Sequence, residues 1–139
     1  MKRRVLVDTG PLVAFFNRRD AHHAWTLEQL GDIEPPLLTC EAVLSEACFL
    51  LSKYGTAASD LFDLLTRGLI TTSFELQPQV SRVQEILERY ADLPTSLADA
   101  CLVRMAEIHA GSPVLTLDSD FRVYRIHGRK VIPTILPPA

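Results

Sequence analysis

Four acidic residues lie at strand ends or on apolar helix stripes, where a solvent-exposed position does not account for a charged side chain: Asp8, Glu46, Asp99 and Asp118. Asp8 and Asp118 each follow a short apolar run, and in open α/β sheets ligands collect beyond the carboxyl ends of strands. Glu46 and Asp99 each share a helical stripe with apolar residues, a pattern that turns both carboxylates towards the interior. The sequence therefore predicts one acidic pocket, formed by two strand ends and two helix faces, that is built to hold metal.

A pocket of this kind needs a positive charge. Two unit charges about 4 Å apart repel each other by roughly 4 kcal/mol at an effective dielectric constant of about 20. Bound protons or a metal ion must relieve that repulsion. The candidate ligands are all oxygen atoms, which favours a hard cation, Mg²⁺ or Mn²⁺, over Zn²⁺. Sites of this composition commonly perform phosphoryl chemistry.

Each acid also has a structural explanation that the sequence leaves open. Asp8 could be only a turn former ahead of a helix. Asp99 forms the pattern S-x-x-D with Ser96, which resembles a helix-capping box. Glu46 could form a buried salt bridge with an arginine. A residue that caps a helix can still bind metal, so these readings do not exclude the pocket.

The composition indicates one domain with a substantial core. The chain has 139 residues, of which 47% are hydrophobic, and we expect a single domain over residues 1–139. No apolar run approaches the roughly 20 residues that span a bilayer. The apolar stretch behind the basic start ends at Asp8, too early for a signal peptide. We therefore expect a cytoplasmic protein without a membrane segment.

The charge balance limits how the protein could contact nucleic acid. A net charge of −3 argues against a broad basic surface that coats nucleic acid. Any nucleic-acid contact must be local. Three basic clusters could form a small rim around the acidic pocket: Arg3–Arg4, Arg18–Arg19, and the group Arg122, Arg125, Arg129 and Lys130. The second and third of these clusters could provide phosphate contacts.

Strand-like and helical segments alternate along the chain. Strand patterns fall at about residues 3–8, 36–39, 69–74, 114–117 and 130–133. Helical periodicity falls at about residues 11–17, 21–31, 41–53, 56–67, 78–91 and 96–110, with a short turn near 119–123. The alternation predicts a mainly parallel sheet flanked by helices. The proline-rich segment 133–138 is expected to trail over the surface.

Four segments resemble, in order and at similar intervals, the motifs of PilT N-terminus (PIN) domains. They are VLVDTGPLVAFFNRRDAHH, TCEAVLSEACFLL, LPTSLADACLVRMAE and SPVLTLDSDF. The chain looks especially like the ribonuclease toxins of VapBC-type toxin–antitoxin pairs, and the resemblance covers nearly its whole length. This resemblance implies a three-layer α/β/α sandwich on a mainly parallel sheet of about five strands.

The resemblance also implies a reaction, hydrolysis of an RNA phosphodiester by metal-activated water that leaves a 5′-phosphate and a 3′-hydroxyl. By matched motif, Asp8 and Asp99 would be direct ligands of Mg²⁺, with Mn²⁺ as a substitute, and Asp118 would be a ligand or a neighbour that contacts the metal through water. Glu46 would orient or deprotonate the attacking water.

Three further residues could support this chemistry. Thr9 and Thr116 could bond the phosphate or orient the acids. Asp120 competes with Asp118 for the place of the fourth acid, and Asp118 is preferred because it directly follows the strand. One of these two aspartates could instead cap the short helix that begins near Phe121.

The partners implied by the resemblance are an RNA substrate, a cognate antitoxin protein that holds the toxin inactive, and a second copy of the chain in a homodimer. A hydrophobic peptide of the antitoxin would lie in a groove formed by the apolar helices at 11–31 and 41–67.

Other function classes fit the sequence less well. A haloacid-dehalogenase-like phosphatase would need a second aspartate where Gly10 stands, and the absence of G-x-x-x-x-G-K-[ST] excludes a P-loop nucleotidase. A catalytically inactive PIN-like module that binds RNA or protein is the non-enzymatic alternative. Because all four acidic positions are filled, the sequence favours an enzyme.

Overall fold

The computed structural model describes residues 4–138, in which short β-strands alternate with longer α-helices. The strands are β1 (Leu6–Val7), β2 (Leu37–Leu38), β3 (Ile70–Thr71), β4 (Val114–Leu115), β5 (Arg125–Ile126), β6 (Lys130–Val131) and β7 (Thr134–Ile135). The α-helices are α1 (Thr9–Phe16), α2 (His23–Gly31), α3 (Glu41–Ser52), α4 (Ala58–Thr66), α5 (Leu76–Arg89) and α6 (Leu97–Ile108). A short 3-10 helix, Ser119–Arg122, follows β4. No helix in this range has both the length and the apolar character of a membrane span.

Five of the strands in the described range form one parallel sheet in the order β3-β2-β1-β4-β7. Six α-helices of the segment 4–138 flank this sheet, which confirms the predicted three-layer α/β/α class. Leu6, Leu38 and Val114 have no exposed surface, because helices cover both faces of the sheet. The strand order reverses between β1 and β4, and α/β proteins bind ligands at such a switch point.

The pairing register of β1 with β4 determines which residues lie side by side beyond the ends of the two strands. Leu6 lies opposite Val114, and the backbone N–H of Asp8 continues the ladder by donating to the carbonyl oxygen of Leu115 at 3.0 Å. The same register places Asp8 level with Thr116. The chain segments that leave β1 and β4 therefore emerge side by side at the carboxyl ends of these two central strands.

The C-terminal strands differ from the prediction. Of the predicted strand 130–133, Lys130–Val131 pairs in antiparallel fashion with β5 in a separate two-stranded sheet. The fifth strand of the parallel sheet is β7, which lies within the segment 133–138 that the sequence pattern assigns to a surface tail. The prolines flank Thr134–Ile135 without interrupting it, and β7 is an edge strand, where prolines are tolerated.

The other elements lie within a few residues of their predicted positions. The largest difference at a helix start is two residues, and α1, α2, α4 and α5 share it. Arg3 belongs both to the predicted first strand and to the first basic cluster, and it lies outside the described residues.

A buried ion cluster joins α5, α6 and the β5–β6 hairpin around Glu107, whose side chain is 0% exposed. Arg82 donates two hydrogen bonds to its carboxylate at 2.9 and 2.7 Å, and Arg104 donates a third at 3.1 Å. The backbone N–H of His127 donates a fourth at 2.6 Å. Burial opposes ionisation of Glu107, but these donors outweigh it and lower its pKa to about 2. The cluster fixes α6, which carries Asp99 at its other end.

Removing the charge of Glu107 should destabilise the fold. Glu107→Gln leaves two guanidinium groups without their carboxylate, and we expect the free energy of unfolding to fall by about 3 kcal/mol at pH 7. Because the pKa of Glu107 is lowered on folding, its contribution is fully present above the unfolded pKa near 4.5 and is lost as the pH falls towards 2. Urea denaturation at pH 7 and pH 3 measures both effects.

Glu85→Gln is the matched control, because Glu85 also faces Arg82 but has a side chain that is 66% exposed. Its effect should stay below about 0.5 kcal/mol. Equal losses in the two variants would show that the cluster around Glu107 does not stabilise the fold.

Candidate active site

Asp8 lies directly beyond β1 and is held by two hydrogen bonds. Its Oδ1 accepts from the backbone N–H of Thr9 at 2.7 Å, so that it caps α1, and its Oδ2 accepts from the hydroxyl of Thr116 at 2.7 Å. The side chain is buried, with 6% of the residue surface exposed. The structural role predicted for Asp8 is present, and the same geometry fixes the carboxylate at the switch point of the sheet.

Asp118 lies beyond β4 and is held by the same threonine. Its backbone N–H donates to Thr116 Oγ1 at 3.0 Å, and its Oδ1 accepts from the N–H of Asp120 at 2.9 Å. Asp118 is therefore the aspartate that caps the 3-10 helix. Thr116 orients both acids, which corresponds to one of the two roles predicted for it.

Asp99 lies in the first turn of α6 and is buried, as its apolar stripe predicts. The capping box with Ser96 is complete: the serine hydroxyl accepts from Asp99 N–H at 3.0 Å, and Asp99 Oδ2 accepts from Ser96 N–H at 3.4 Å. Asp99 Oδ2 also accepts from the hydroxyl of Tyr124 at 3.1 Å.

Glu46 is exposed, which contradicts the inward orientation predicted from its stripe. The buried side of α3 consists of Val43, Leu44, Ala47 and Leu51. Glu46 precedes Ala47 by one residue, which is roughly 100° around a helix, so it lies on the flank of that stripe. Within residues 4–138 it makes no salt bridge, and the alternative of a buried ion pair is therefore not supported.

All four predicted acids nevertheless line one cleft with a volume of about 560 Å³. Its other lining residues are Thr9, Gly10, Leu50, Pro94, Ser96, Leu117 and Ser119. Asp120, the alternative fourth acid, is not among them. In the described part of the chain, no group of three or more His, Cys, Asp or Glu residues has the spacing of a preformed metal site. The acids are thus gathered around an open cleft.

Burial and mutual repulsion raise the pKa of two of these acids. Burial raises the pKa of Asp8 to about 6, against the hydrogen bonds from Thr116 and Thr9, and the negative charges of Asp99 and Asp118 add to the rise. Burial likewise raises the pKa of Asp99, with added repulsion from Asp118 and Glu46. Bringing a cation into the cleft would relieve this repulsion.

Thr9 offers a second feature that suits a ligand. Its hydroxyl is buried and has no hydrogen-bond partner within residues 4–138, and the residue lines the cleft. An unsatisfied buried hydroxyl costs about 1–3 kcal/mol, which a bound phosphate oxygen or water could recover. The oxygen-only donor set, the repulsion among the acids and this free hydroxyl together fit a hard divalent cation with a phosphate group.

The predicted basic clusters lie outside the cleft, as far as the described residues include them. Arg18 and Arg19 are exposed and remain predicted RNA contacts. Arg125 has a structural role, because its Nη1 donates to the carbonyl oxygens of Arg122, Val123 and Tyr124 at 2.7, 2.9 and 3.0 Å.

Tyr124 is the site residue that sequence reasoning missed. It is fully buried and contacts Asp99, yet it lies beyond the fourth acidic motif. The available signal was the pair Phe121 and Tyr124, whose three-residue spacing after Asp118 places both aromatic rings on one side of a helical turn.

Neutralising Asp8 should stabilise the metal-free protein at neutral pH. Its pKa is raised from 3.8 to about 6, so the folded chain holds this proton more tightly than the unfolded chain. Stability is therefore lost as the pH rises from about 4 to about 6. We expect Asp8→Asn, which keeps a capping side chain, to be more stable than the parent by about 2 kcal/mol at pH 7.5, with a difference that shrinks towards zero below pH 4.

Urea denaturation in the presence of a chelator measures this difference. Asp92→Asn, at an exposed acid outside the cleft, is the matched control and should show no such pH dependence. A stability difference for Asp8→Asn that is the same at pH 4 and pH 7.5 would contradict the assigned electrostatics.

A comparison with known families agrees with this geometry. Residues 5–126 match the PIN domain model, and the matched span contains all four acids of the cleft. No curated protein sequence matches the chain. PIN domains are generally nucleases, which supports a nuclease role for this chain. With this match over most of its length, the chain belongs to the PIN domain family.

Proposed function

We propose that this PIN domain is a metal-dependent endoribonuclease that hydrolyses RNA phosphodiester bonds. The observation that carries the proposal is the meeting of Asp8, Glu46, Asp99 and Asp118 at one cleft beside the switch point of the sheet. Family membership supports nuclease chemistry, and the raised pKa values of Asp8 and Asp99 are the expected sign of acids that a cation must hold together.

The mechanism assigns a role to each acid. Asp8, Asp99 and Asp118 would hold Mg²⁺ or Mn²⁺, which when bound supplies charge neutralisation at the phosphate and activation of water. Glu46 is the most exposed acid of the cleft and can reach solvent water, so it orients that water and accepts its proton. The hydroxyl of Thr9, which has no hydrogen-bond partner in the described chain, would donate to a phosphate oxygen.

Asp99→Asn should abolish both metal binding and cleavage. Loss of one ligand charge should remove the rise in melting temperature that Mn²⁺ gives the parent. It should also lower cleavage of a mixed pool of structured RNAs by roughly 100-fold or more. Thermal melting with Mn²⁺ and with chelator, beside the RNA assay, measures both, and an unchanged Mn²⁺ shift in Asp99→Asn would overturn the ligand assignment.

Two further variants sharpen this experiment. Glu46→Gln should keep the Mn²⁺ shift but lose cleavage, because Glu46 acts on water and not as a ligand. Asp92→Asn, away from the cleft, should keep both. Comparing Asp118→Asn with Asp120→Asn identifies the fourth acid, and we expect only Asp118→Asn to weaken the Mn²⁺ shift.

The proposal extends to a toxin of a toxin–antitoxin pair that acts in the cytoplasm. An apolar groove of about 160 Å³ supports this extension. Its lining residues are Leu12, Phe15, Leu30, Ile33, Pro35, Leu37, Leu64, Leu69 and Ile70. Four of them, Leu12, Phe15, Leu30 and Leu64, lie in the helices at 11–31 and 41–67 that were expected to receive a hydrophobic antitoxin peptide. The other five lie in β2, β3 and the connections before these strands. The exposed aromatic residues Phe49 and Tyr54 offer a separate apolar surface for the proposed homodimer.

Leu64→Asp should prevent antitoxin binding. A charge in the groove would have to be desolvated by the apolar peptide, so we expect the affinity to fall by roughly 100-fold. The measurement is copurification with the product of the neighbouring gene, together with suppression of RNA cleavage by that product. Phe62→Asp, on the exposed side of the same helix, is the matched control and should bind normally. Equal binding by both variants would place the partner elsewhere.

One observation favours a second candidate function, a catalytically inactive module that binds RNA or protein. The acids of the described chain form no preformed metal cage. Under this alternative, Mn²⁺ would leave the melting temperature of the parent unchanged, and the four acids would be dispensable for RNA binding.

A further inference from the structure

Tyr124 lies behind the acidic cleft with its hydroxyl group fixed by packing. The residue has no exposed surface. Its ring meets Tyr90 edge-on, with centroids 5.0 Å apart, and meets Phe121 at 90° with centroids 5.1 Å apart. A ring enclosed in this way has little freedom to move its hydroxyl group. The hydroxyl donates to Oδ2 of Asp99 at 3.1 Å.

The two oxygens of Asp99 are consequently different. Oδ2 accepts from Tyr124 and, more weakly, from the backbone N–H of Ser96 at 3.4 Å. Oδ1 accepts no hydrogen bond from any residue in the range 4–138. Asp99 lines the cleft, so Tyr124 holds one oxygen against the protein and leaves the other without a protein donor.

Tyr124 also connects three parts of the cleft. The hydroxyl oxygens of Thr95 and Tyr124 are 3.1 Å apart. Because Tyr124 gives its single proton to Asp99, the proton in this pair comes from Thr95, whose hydroxyl also lies 3.4 Å from a second acceptor, the carbonyl oxygen of Tyr90. Thr95 lies between Pro94 and Ser96, which line the cleft, and the backbone N–H of Tyr124 donates to the carbonyl oxygen of Asp120 at 3.1 Å. Tyr124 thus links the cleft wall and the acid on α6 through its hydroxyl group, and the segment after Asp118 through its backbone N–H.

We propose that Tyr124 is a positioning residue that holds the Asp99 carboxylate in the orientation needed to receive a divalent cation. This inference rests on the proposed function, because it concerns the same cleft. Without the hydroxyl, the carboxylate could turn about its side-chain torsions, and the cation would have to supply the ordering. Loss of a hydrogen-bond partner behind a metal ligand typically lowers metal affinity by roughly 10- to 100-fold.

Tyr124→Phe tests the inference, since it removes the hydroxyl and keeps the packed ring. We expect the dissociation constant for Mn²⁺, measured by calorimetric titration of the purified protein without RNA, to rise by roughly 10- to 100-fold. Cleavage should fall at limiting Mn²⁺ and recover at saturating Mn²⁺, with an unchanged KM for RNA. A defect that excess Mn²⁺ restores is specific to metal positioning, because a misfolded site would not recover.

Tyr90→Phe is the matched control. Tyr90 belongs to the same aromatic group, and its hydroxyl accepts from the backbone N–H of Arg125 at 2.8 Å without contacting Asp99. This variant should bind Mn²⁺ like the parent even if it is less stable. Equal weakening of Mn²⁺ binding by the two variants, or none by Tyr124→Phe, would overturn the positioning role.

Thr95→Val keeps the inference testable if Tyr124→Phe does not fold. The substitution removes the hydroxyl that donates to Tyr124 and leaves the packed aromatic rings intact. We expect the dissociation constant for Mn²⁺ to rise by several-fold, roughly the lower end of the range expected for Tyr124→Phe. Unchanged binding would count against the hydrogen-bonded chain. If the parent itself binds no Mn²⁺, the proposed function and the positioning role are both overturned, whereas parent-like binding by Tyr124→Phe overturns only the positioning role.

Discussion

The parallel pairing of β1 with β4 is the constraint on which the site depends. It brings Asp8 level with Thr116, whose hydroxyl donates to Asp8 at 2.7 Å and accepts from the N–H of Asp118 at 3.0 Å. One threonine thus fixes the acids that follow two neighbouring strands. The strand order reverses between these strands, so no crossover helix covers the gap and a cleft can open there. Glu46 and Asp99 reach this cleft from helices.

The buried carboxylates Glu107 and Asp8 have pKa values shifted in opposite directions because their environments differ. Glu107 is surrounded by arginine donors, and its pKa falls to about 2, so it is a stable anion that fixes α6. Asp8 receives only neutral donors and faces other acids, and its pKa rises to about 6. Its ionised form therefore destabilises the metal-free fold at neutral pH, as expected of a group kept for function. The two ends of α6 carry one acid of each kind, Asp99 and Glu107.

The sequence predicts most of this arrangement, and the failures have physical causes. The positions of Asp8 and Asp118 are predictable because a carboxylate that follows an apolar strand lies at the carboxyl end of that strand. The position of Asp99 is predictable because it completes a helix-capping pattern. The predicted inward orientation of Glu46 is wrong because the buried stripe of α3 is centred about one residue away from Glu46. Strand β7 was missed because a two-residue edge strand between prolines has no periodicity to detect. Tyr124 contacts Asp99 only through the tertiary fold, which no local pattern encodes.

We propose that three acids, which lie beyond β1, beyond β4 and in the first turn of α6, form a divalent cation site. The most direct measurement is a crystal structure of the protein grown with Mn²⁺, with the anomalous signal used to locate the metal. The account predicts a peak in the cleft within coordination distance of carboxylate oxygens of Asp8, Asp99 and Asp118. A peak bound by other residues, or no peak in the cleft at a Mn²⁺ concentration that supports RNA cleavage, would contradict it.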